Sequence, residues 1–300
     1  MKKIKFGRRD DRPITLALGF FDSVHLGHCR VLQAAAALDS GAARAAFTFR
    51  NNPASALGQK KPLIYTFEER LERFAEEGVT EVVWASFRPE FAALPATEFL
   101  ELLKNTLCLR GLAAGEDYRF GRGAEAGAAE LEAFCQKEGI PFARVPLLER
   151  EEKVSSTRIR ELLREGKIEE ANELLGAPYR MSGRVRAGNA VGRKMGFETA
   201  NILLSPQKLK PAPGVYATVG EVKGRFFPAV TNLGARPTVD GRSYRSETHF
   251  IGLHEDLYGK QITVRFYRRL RGIVRFDTLD ELKAQIARDV EQALSIGLPR

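Results

Sequence analysis

Between Leu18 and Cys29 lies the stretch Gly19-Phe20-Phe21-Asp22-Ser23-Val24-His25-Leu26-Gly27-His28, and it restricts the fold more than any other part of the chain. Before it, Ile14 to Leu18 is a short apolar run, which predicts a buried strand. After it, Arg30 to Leu38 is rich in Ala and Leu and predicts a helix. Two histidines three positions apart thus sit where a strand hands over to a helix. In an open α/β sheet that is the edge at which ligands bind. A helix start also offers free N–H groups and the positive end of a dipole, both suited to phosphate. His25 and His28 share one helical face, and Gly27 between them is expected to let a ligand approach the backbone. Taken with the strand, the glycines and Asp22, the arrangement favours a polyphosphate held by two imidazoles. A pair of surface histidines is the plainer alternative. A zinc site is the third, and it requires more ligands: His249 and His254 are remote in sequence and Cys29, Cys108 and Cys135 are scattered.

Strand and helix signals alternate through the first half. Strands are expected at 44–49, 80–85, 110–114 and 141–147. Helices are expected at 67–77, opened by Thr66, and at 98–107, 126–138 and 168–175. This order predicts a parallel sheet with helices on both faces. Two of its loops follow strands. Gly115 to Gly127 combines glycines with Asp117, Phe120 and Arg122, a composition suited to an anion or a planar ring, or to a plain surface loop. Val154 to Arg160 contains Ser155, Ser156, Thr157 and Arg160; its hydroxyls can simply cap a helix, or join the arginines in a phosphate clamp.

The pattern changes at 178–182, where a domain boundary is expected. Runs at 182–187, 215–222, 225–232, 247–253 and 261–267, separated by Gly/Pro-rich turns, predict a small antiparallel barrel, closed by a helix at 279–295. Within this half, Gly188, Gly192 and Arg193 lead into Thr199 and Asn201. Glycines let backbone N–H groups face phosphates, and a hydroxyl with an amide oxygen suits Mg²⁺. Glu247 on a strand is a candidate general base.

The net charge of +9 is carried entirely by residues 181–300, which hold 20 of the 47 Lys and Arg and only 11 of the 38 acidic residues. That implies anionic partners. Nucleic acid is not expected, because no basic stripe with stacking aromatics accompanies the charge. Three cysteines without a CxxC pair fit a reducing cytosol. The N-terminus has no signal-peptide core and no run is long enough to span a membrane, so a cytoplasmic chain is expected. Its oligomeric state is not legible in the residues.

Together these segments resemble one family over almost the whole chain, the prokaryotic bifunctional riboflavin kinase/FMN adenylyltransferases, or FAD synthetases. The N-terminal likeness lies in Gly19-x-Phe21-Asp22-x-x-His25-x-Gly27-His28 together with Ser155-Ser156-Thr157-x-x-Arg160, the pairing of the HxGH nucleotidyltransferases. Gly115-Glu-Asp-Tyr-Arg-Phe-Gly121 is similar to the flavin adenylyltransferase branch. The C-terminal likeness lies in Gly192-Arg193-x-x-Gly196-Phe197-x-Thr199-Ala200-Asn201, Pro213-Gly214-Val215-Tyr216, Asn232-x-Gly234-x-Arg236-Pro237-Thr238, Glu247-x-His249 and Leu257-Tyr258-Gly259.

The resemblance implies a Rossmann-like adenylyltransferase domain over 1–180 and a riboflavin kinase barrel with a terminal helix over 181–300. It implies ATP-dependent phosphorylation of riboflavin to FMN, then adenylylation of FMN to FAD with release of pyrophosphate, and Mg²⁺ as cofactor. In the kinase, Glu247 would be the base, Thr199 and Asn201 would hold the metal, Gly188, Gly192 and Arg193 the ATP, and Asn232 and Arg236 the flavin. In the adenylyltransferase, His25, His28 and Arg160 would be catalytic. Gly19, Phe21, Asp22, Gly27, Ser155, Ser156 and Thr157 would line the ATP, and Asp117, Phe120 and Arg122 the flavin. Two narrower readings are one active module, or a non-catalytic flavin- or nucleic-acid-binding regulator. The chain departs from the family pattern at Glu198, usually Pro; at Ser23, usually Gly, which predicts that φ there is not strictly positive; and at Phe49-Arg-Asn-Asn-Pro53, usually Phe-x-Pro-His-Pro.

Overall fold

A computed structural model describes residues 1–59, 61–148, 154–186, 199–238 and 241–297, with backbone alone at 235–238, 241–243 and 245. The chain divides into two units, Met1–Ser156 and Thr157–Arg300.

The first unit runs β1 (Lys2–Lys5), β2 (Asp10–Leu18), α1 (Leu26–Leu38), β3 (Ala43–Phe49), α2 (Pro53–Ala56), α3 (Phe67–Glu76), β4 (Glu81–Ala85), α4 (Pro89–Ala92), α5 (Ala96–Thr106), β5 (Leu107–Gly115), the short strands β6 (Arg119–Phe120) and β7 (Ala126–Gly127), α6 (Ala128–Glu138) and β8 (Phe142–Val145). Six strands form one sheet in the order β1-β4-β3-β2-β5-β8, every pair parallel. β2 is central and buried on both faces. Leu16 and Leu18 join Phe47, Leu112 and Phe99 of α5 in one core layer, while Ala17 joins Ala46, Val82, Leu32 of α1 and Phe74 of α3 in the other. That two-sided burial is why residues 14–18 read as an unbroken apolar run. From β2 the chain moves outward to β3 and β4, then returns to β5 on the opposite flank of β2. The carboxyl end of β2 is therefore the switch point of the sheet. Thr66 opens α3, as the sequence implied, and forms a reciprocal box with Glu69. β1 escaped the sequence reading because three of its four residues are lysine and only Ile4 is buried. Exposed lysines suit an edge strand.

The second unit takes up α7 (Ser156–Glu165) from Thr157 onward, followed by α8 (Ile168–Leu175), β9 (Tyr179–Arg186), β10 (Thr199–Leu203), β11 (Gly214–Val222), β12 (Arg225–Thr238), β13 (Gly241–Phe250), β14 (Gln261–Arg271) and α9 (Leu279–Ser295). The six strands close into a barrel in the order β10-β13-β12-β11-β14-β9, with antiparallel pairs throughout. Inside, Tyr179 and Tyr216 pack on Phe266, and the hydroxyls of Thr218, Thr231 and Thr248 form a buried ladder with 2.9 Å spacings. Outside, Val215, Ala217, Val219 and Val230 pack under Ala293 of α9. The helix is anchored where Arg271 meets the buried Asp289 at 2.8 Å. The units divide earlier than the 178–182 composition change because α7 and α8 hold to the barrel. The Ala212 N–H donates to Leu163 O at 2.9 Å, and the Asn172 side chain bridges Tyr179 N and Phe266 O. β10 and the first half of β13, where polar residues mask the alternation, were not expected as strands.

Candidate functional site

The turn after β2 is built from residues in unusual conformations. Phe21 and Val24 have φ of 54° and 45°, a left-handed geometry that costs a non-glycine residue about 1–3 kcal/mol and persists only where surroundings enforce it. Ser23 keeps out of that region, as its identity predicts. Phe21, 1 % exposed, sets its ring edge-on to His28 at 5.2 Å and to Phe74 at 5.6 Å. Gly19 accommodates that ring: a Cβ there would lie 2.8 Å from it. The buried Asp22 carboxylate accepts the N–H of Ile64 at 3.2 and 3.3 Å, which pins the segment leading to α3.

His25 is the N-cap of α1, and its Nδ1 accepts the His28 N–H at 3.1 Å. A neutral ring that accepts at Nδ1 carries its proton on Nε2. The two imidazoles stack with centroids 3.6 Å apart and 6° between planes, and the buried Nδ1 of His28 has no hydrogen-bond partner among the described residues. Burial lowers His25 to about 4. Burial, with His25 alongside, holds His28 well below the usual imidazole value. Both rings are thus neutral donors near pH 7. A Cβ at Gly27 would sit 3.1 Å from the His25 ring, so the glycine makes room for the imidazole. Ser23 and Ser156 meet hydroxyl to hydroxyl at 2.9 Å. Ser155 is half-buried, Thr157 is exposed and Arg160 is buried along that helix.

The depressed imidazoles carry a stability consequence. An unfolded histidine titrates near 6.5, whereas folded His25 does so only near 4. Between these values the unfolded chain binds more protons. Stability is therefore full above about pH 6.5 and falls as pH drops toward 4, by up to about 1.4 kcal/mol per pH unit per imidazole. His25→Gln is expected to flatten the acid dependence of the urea midpoint between pH 7 and pH 5, followed through Trp84, the single tryptophan. An unchanged slope would contradict the assignment.

Sequence reasoning missed the supports of this turn. Arg70, fully buried in α3, donates to Phe20 O at 2.9 Å, to Thr48 Oγ1 at 2.6 Å and to Phe49 O at 2.7 Å. A basic residue on a charged helix gives no sequence sign of burial. Asn51, part of the departure at 49–53, exchanges two 2.8 Å hydrogen bonds with the backbone of Phe87. Asn52 caps α2 through the Ala54 N–H. The departure thus carries its own loop anchors. In the 115–127 loop, Asp117 and Arg122 are at the surface, whereas Phe120 is 7 % exposed and packs on Phe99 and Tyr118.

In the barrel, register brings the remaining candidates together. Glu247 on β13 lies directly opposite Asn201 on β10 and opposite Asn232 on β12. Thr199 is opposite His249. Residues paired in this way share a face with Cβ atoms about 4.5–5.5 Å apart, and Thr199 and Asn201, two apart on one strand, share it as well. It is the outward face, that of Val215, which pairs with Asn232. Asn201 Oδ1 is buried and has no hydrogen-bond partner among the described residues. A neutral hydroxyl, an amide oxygen and a carboxylate form an all-oxygen donor set of the kind a hard cation takes. Arg236 lies on β12 opposite Ser243. Gly188, Gly192, Arg193 and Glu198 lie outside the described residues. Among the described residues no cluster of three His, Cys, Asp or Glu side chains could hold a metal ion, so His25 and His28 find no zinc partners there, and no helix is long and apolar enough to cross a membrane.

Comparison with known proteins matches both halves. The FAD synthetase family model covers residues 7–158 and the riboflavin kinase model residues 175–296. The chain is 38 % identical over 285 residues to the bifunctional riboflavin kinase/FMN adenylyltransferase of Escherichia coli strain K12, covering 91 % of this chain and 90 % of that protein. It is 32 % identical over 288 residues to the protein of the same name from Bacillus subtilis strain 168, covering 93 % and 91 %. A crystal structure described as a macrolide-efflux protein from Streptococcus pneumoniae is similar with a TM-score of 0.85 and 31 % identity, covering 97 % of this chain and 98 % of that one.

Proposed function

Because the chain belongs to the bifunctional riboflavin kinase/FMN adenylyltransferase family, we propose a division of its two activities between its two halves. The activities are phosphorylation of riboflavin to FMN by ATP and adenylylation of FMN to FAD. Residues 181–300 perform the first and residues 1–180 the second. The observation that carries this reading is the row Asn201–Glu247–Asn232 on three adjacent barrel strands, a constellation separate from the stacked imidazoles after β2.

In the kinase half, Glu247 accepts the proton of the ribityl hydroxyl as that oxygen attacks the γ-phosphorus and the bond to ADP breaks. Asn232 and Asn201 flank the carboxylate and orient the alcohol. Asn201 Oδ1, unpartnered among the described residues, and the Thr199 hydroxyl fit Mg²⁺, which when bound would offset charge on the transferring phosphate. Transfer of this kind is mainly positioning and charge stabilisation, so one carboxylate suffices as base. In the adenylyltransferase half, the FMN phosphate attacks the α-phosphorus of ATP and pyrophosphate leaves, with no protein nucleophile. His25 donates from Nε2 and His28 beside it, stabilising the charge that gathers on the leaving group. Ser156, held to Ser23, is positioned to add a hydroxyl donor. We assign the chain to the cytoplasm, where its three free cysteines stay reduced.

Incubation with riboflavin and MgATP, followed by chromatography, is expected to yield FMN and then FAD. Chelation with EDTA should halt both steps and added Mg²⁺ restore them. FMN formation at an undiminished rate in excess chelator would remove the metal from the mechanism. Riboflavin and FMN supplied in separate assays distinguish two working halves from one.

A further inference from the structure

Resting on the assignment of adenylylation to the His25/His28 turn, we infer that Arg70 is a positioning residue for that reaction: its guanidinium is the clamp that holds the strained turn in the geometry that delivers the two imidazoles. The turn leaves β2 through Phe20, and the Phe20 carbonyl accepts from both Arg70 Nη1 at 2.9 Å and Thr48 Oγ1 at 2.7 Å. Thr48 Oγ1 in turn accepts from Arg70 at 2.6 Å, and the other arm of the guanidinium reaches Phe49 O at 2.7 Å. One planar group therefore bridges the carboxyl ends of β2 and β3 from a helix behind them. The Phe20 ring lies 4.8 Å from the guanidinium carbon and the Phe67 ring 5.7 Å, so the charge is flanked by aromatic rings as well as hydrogen-bonded.

These bonds go to neutral oxygens, an uncommon setting for a fully buried cation. The acidic groups that act on Arg70 are Asp22 and Glu69. Asp22 accepts the Ile64 N–H and Glu69 the Thr66 N–H, so both hold backbone next to α3. Burial lowers Arg70 to about 10, which leaves it charged at neutral pH. The residue after Phe20 is Phe21, whose left-handed φ sets its ring against His28. Releasing Phe20 O lets that strain relax, and the relaxation moves His28. Lysine cannot replace the fork, because a point charge on a flexible stem reaches one carbonyl and not both strand ends.

The test uses the full chain. Arg70→Lys, Arg70→Met and Thr48→Val are assayed for FMN-to-FAD turnover per folded molecule, the folded fraction being read from Trp84 fluorescence. Riboflavin phosphorylation by the same samples is the internal control. Misplaced catalytic groups cost kcat steeply, so kcat is expected to fall about tenfold in Arg70→Lys and about thirtyfold in Arg70→Met. Thr48→Val, which removes one bond to Phe20 O and keeps the shape, should lose about threefold. KM for ATP and FMN should stay within about twofold and the kinase rate should be unchanged. A purely structural role would lower the folded fraction and leave kcat per folded molecule intact, and that result overturns the inference. If Arg70→Met does not fold, Thr48→Val decides: reduced kcat supports the clamp and wild-type kcat sinks it. A His28→Ala control separates the two claims. Loss of FAD formation in the control with wild-type kcat in the Arg70 and Thr48 variants rejects the clamp alone. FAD formation retained in the control rejects the site assignment, and the clamp with it.

Discussion

His28→Ala is expected to stop the product series at FMN. Riboflavin and MgATP should still give FMN at the wild-type rate, while conversion of supplied FMN to FAD falls by about 10²–10³-fold, the usual effect of removing one preorganised donor from developing negative charge. The imidazole is stacked on His25 and braced by Phe21, so it occupies its position before substrate arrives. Its buried Nδ1 has no partner among the described residues, and a neutral ring avoids placing an N–H where nothing accepts it. That leaves the proton on Nε2. Asparagine at 28 retains a donor on a shorter arm and should recover part of the loss. Equal loss of both activities in His28→Ala would refute the division of labour.

The sequence and the structure agree where one physical signal dominates a segment. β2 reads as a strand because both its faces are buried, and α9 matches its expected ends at Leu279 and Ser295 because Thr278 caps its start and its apolar side meets the barrel. Agreement fails where a residue acts against its usual role. Arg70 and Glu69 are charged and carry no exposure, so a reading by polarity puts them on the surface. The lysines of β1 hide a strand, and the polar start of β13 hides half of another.

The candidate site was legible in residue types and not in geometry. His25, His28, Thr199, Asn201 and Glu247 can be selected from spacing and resemblance. That His25 is a cap with its ring over Gly27, or that Glu247 stands between two asparagines, depends on φ values and strand register. A one-residue slip of β13 would turn Glu247 into the barrel, into the row occupied by Thr248.

That dependence on register makes Glu247 the sharpest test of the barrel. Its half-buried side chain has Asn201 and Asn232 as lateral neighbours, and both are neutral. Glu247→Gln keeps the size and the strand pairing and removes the basic oxygen. Phosphorylation of riboflavin is expected to fall about 10²–10⁴-fold, the range for loss of a general base, with KM for riboflavin little changed, because the amide still occupies the row. FMN supplied directly should be converted to FAD at the wild-type rate. Asp at 247 withdraws the carboxylate by one methylene and should fall between the two. A Glu247→Gln protein that phosphorylates riboflavin within a few-fold of wild type would show that the alcohol loses its proton to another group, and the Asn201–Glu247–Asn232 row would then lose its claim to the chemistry.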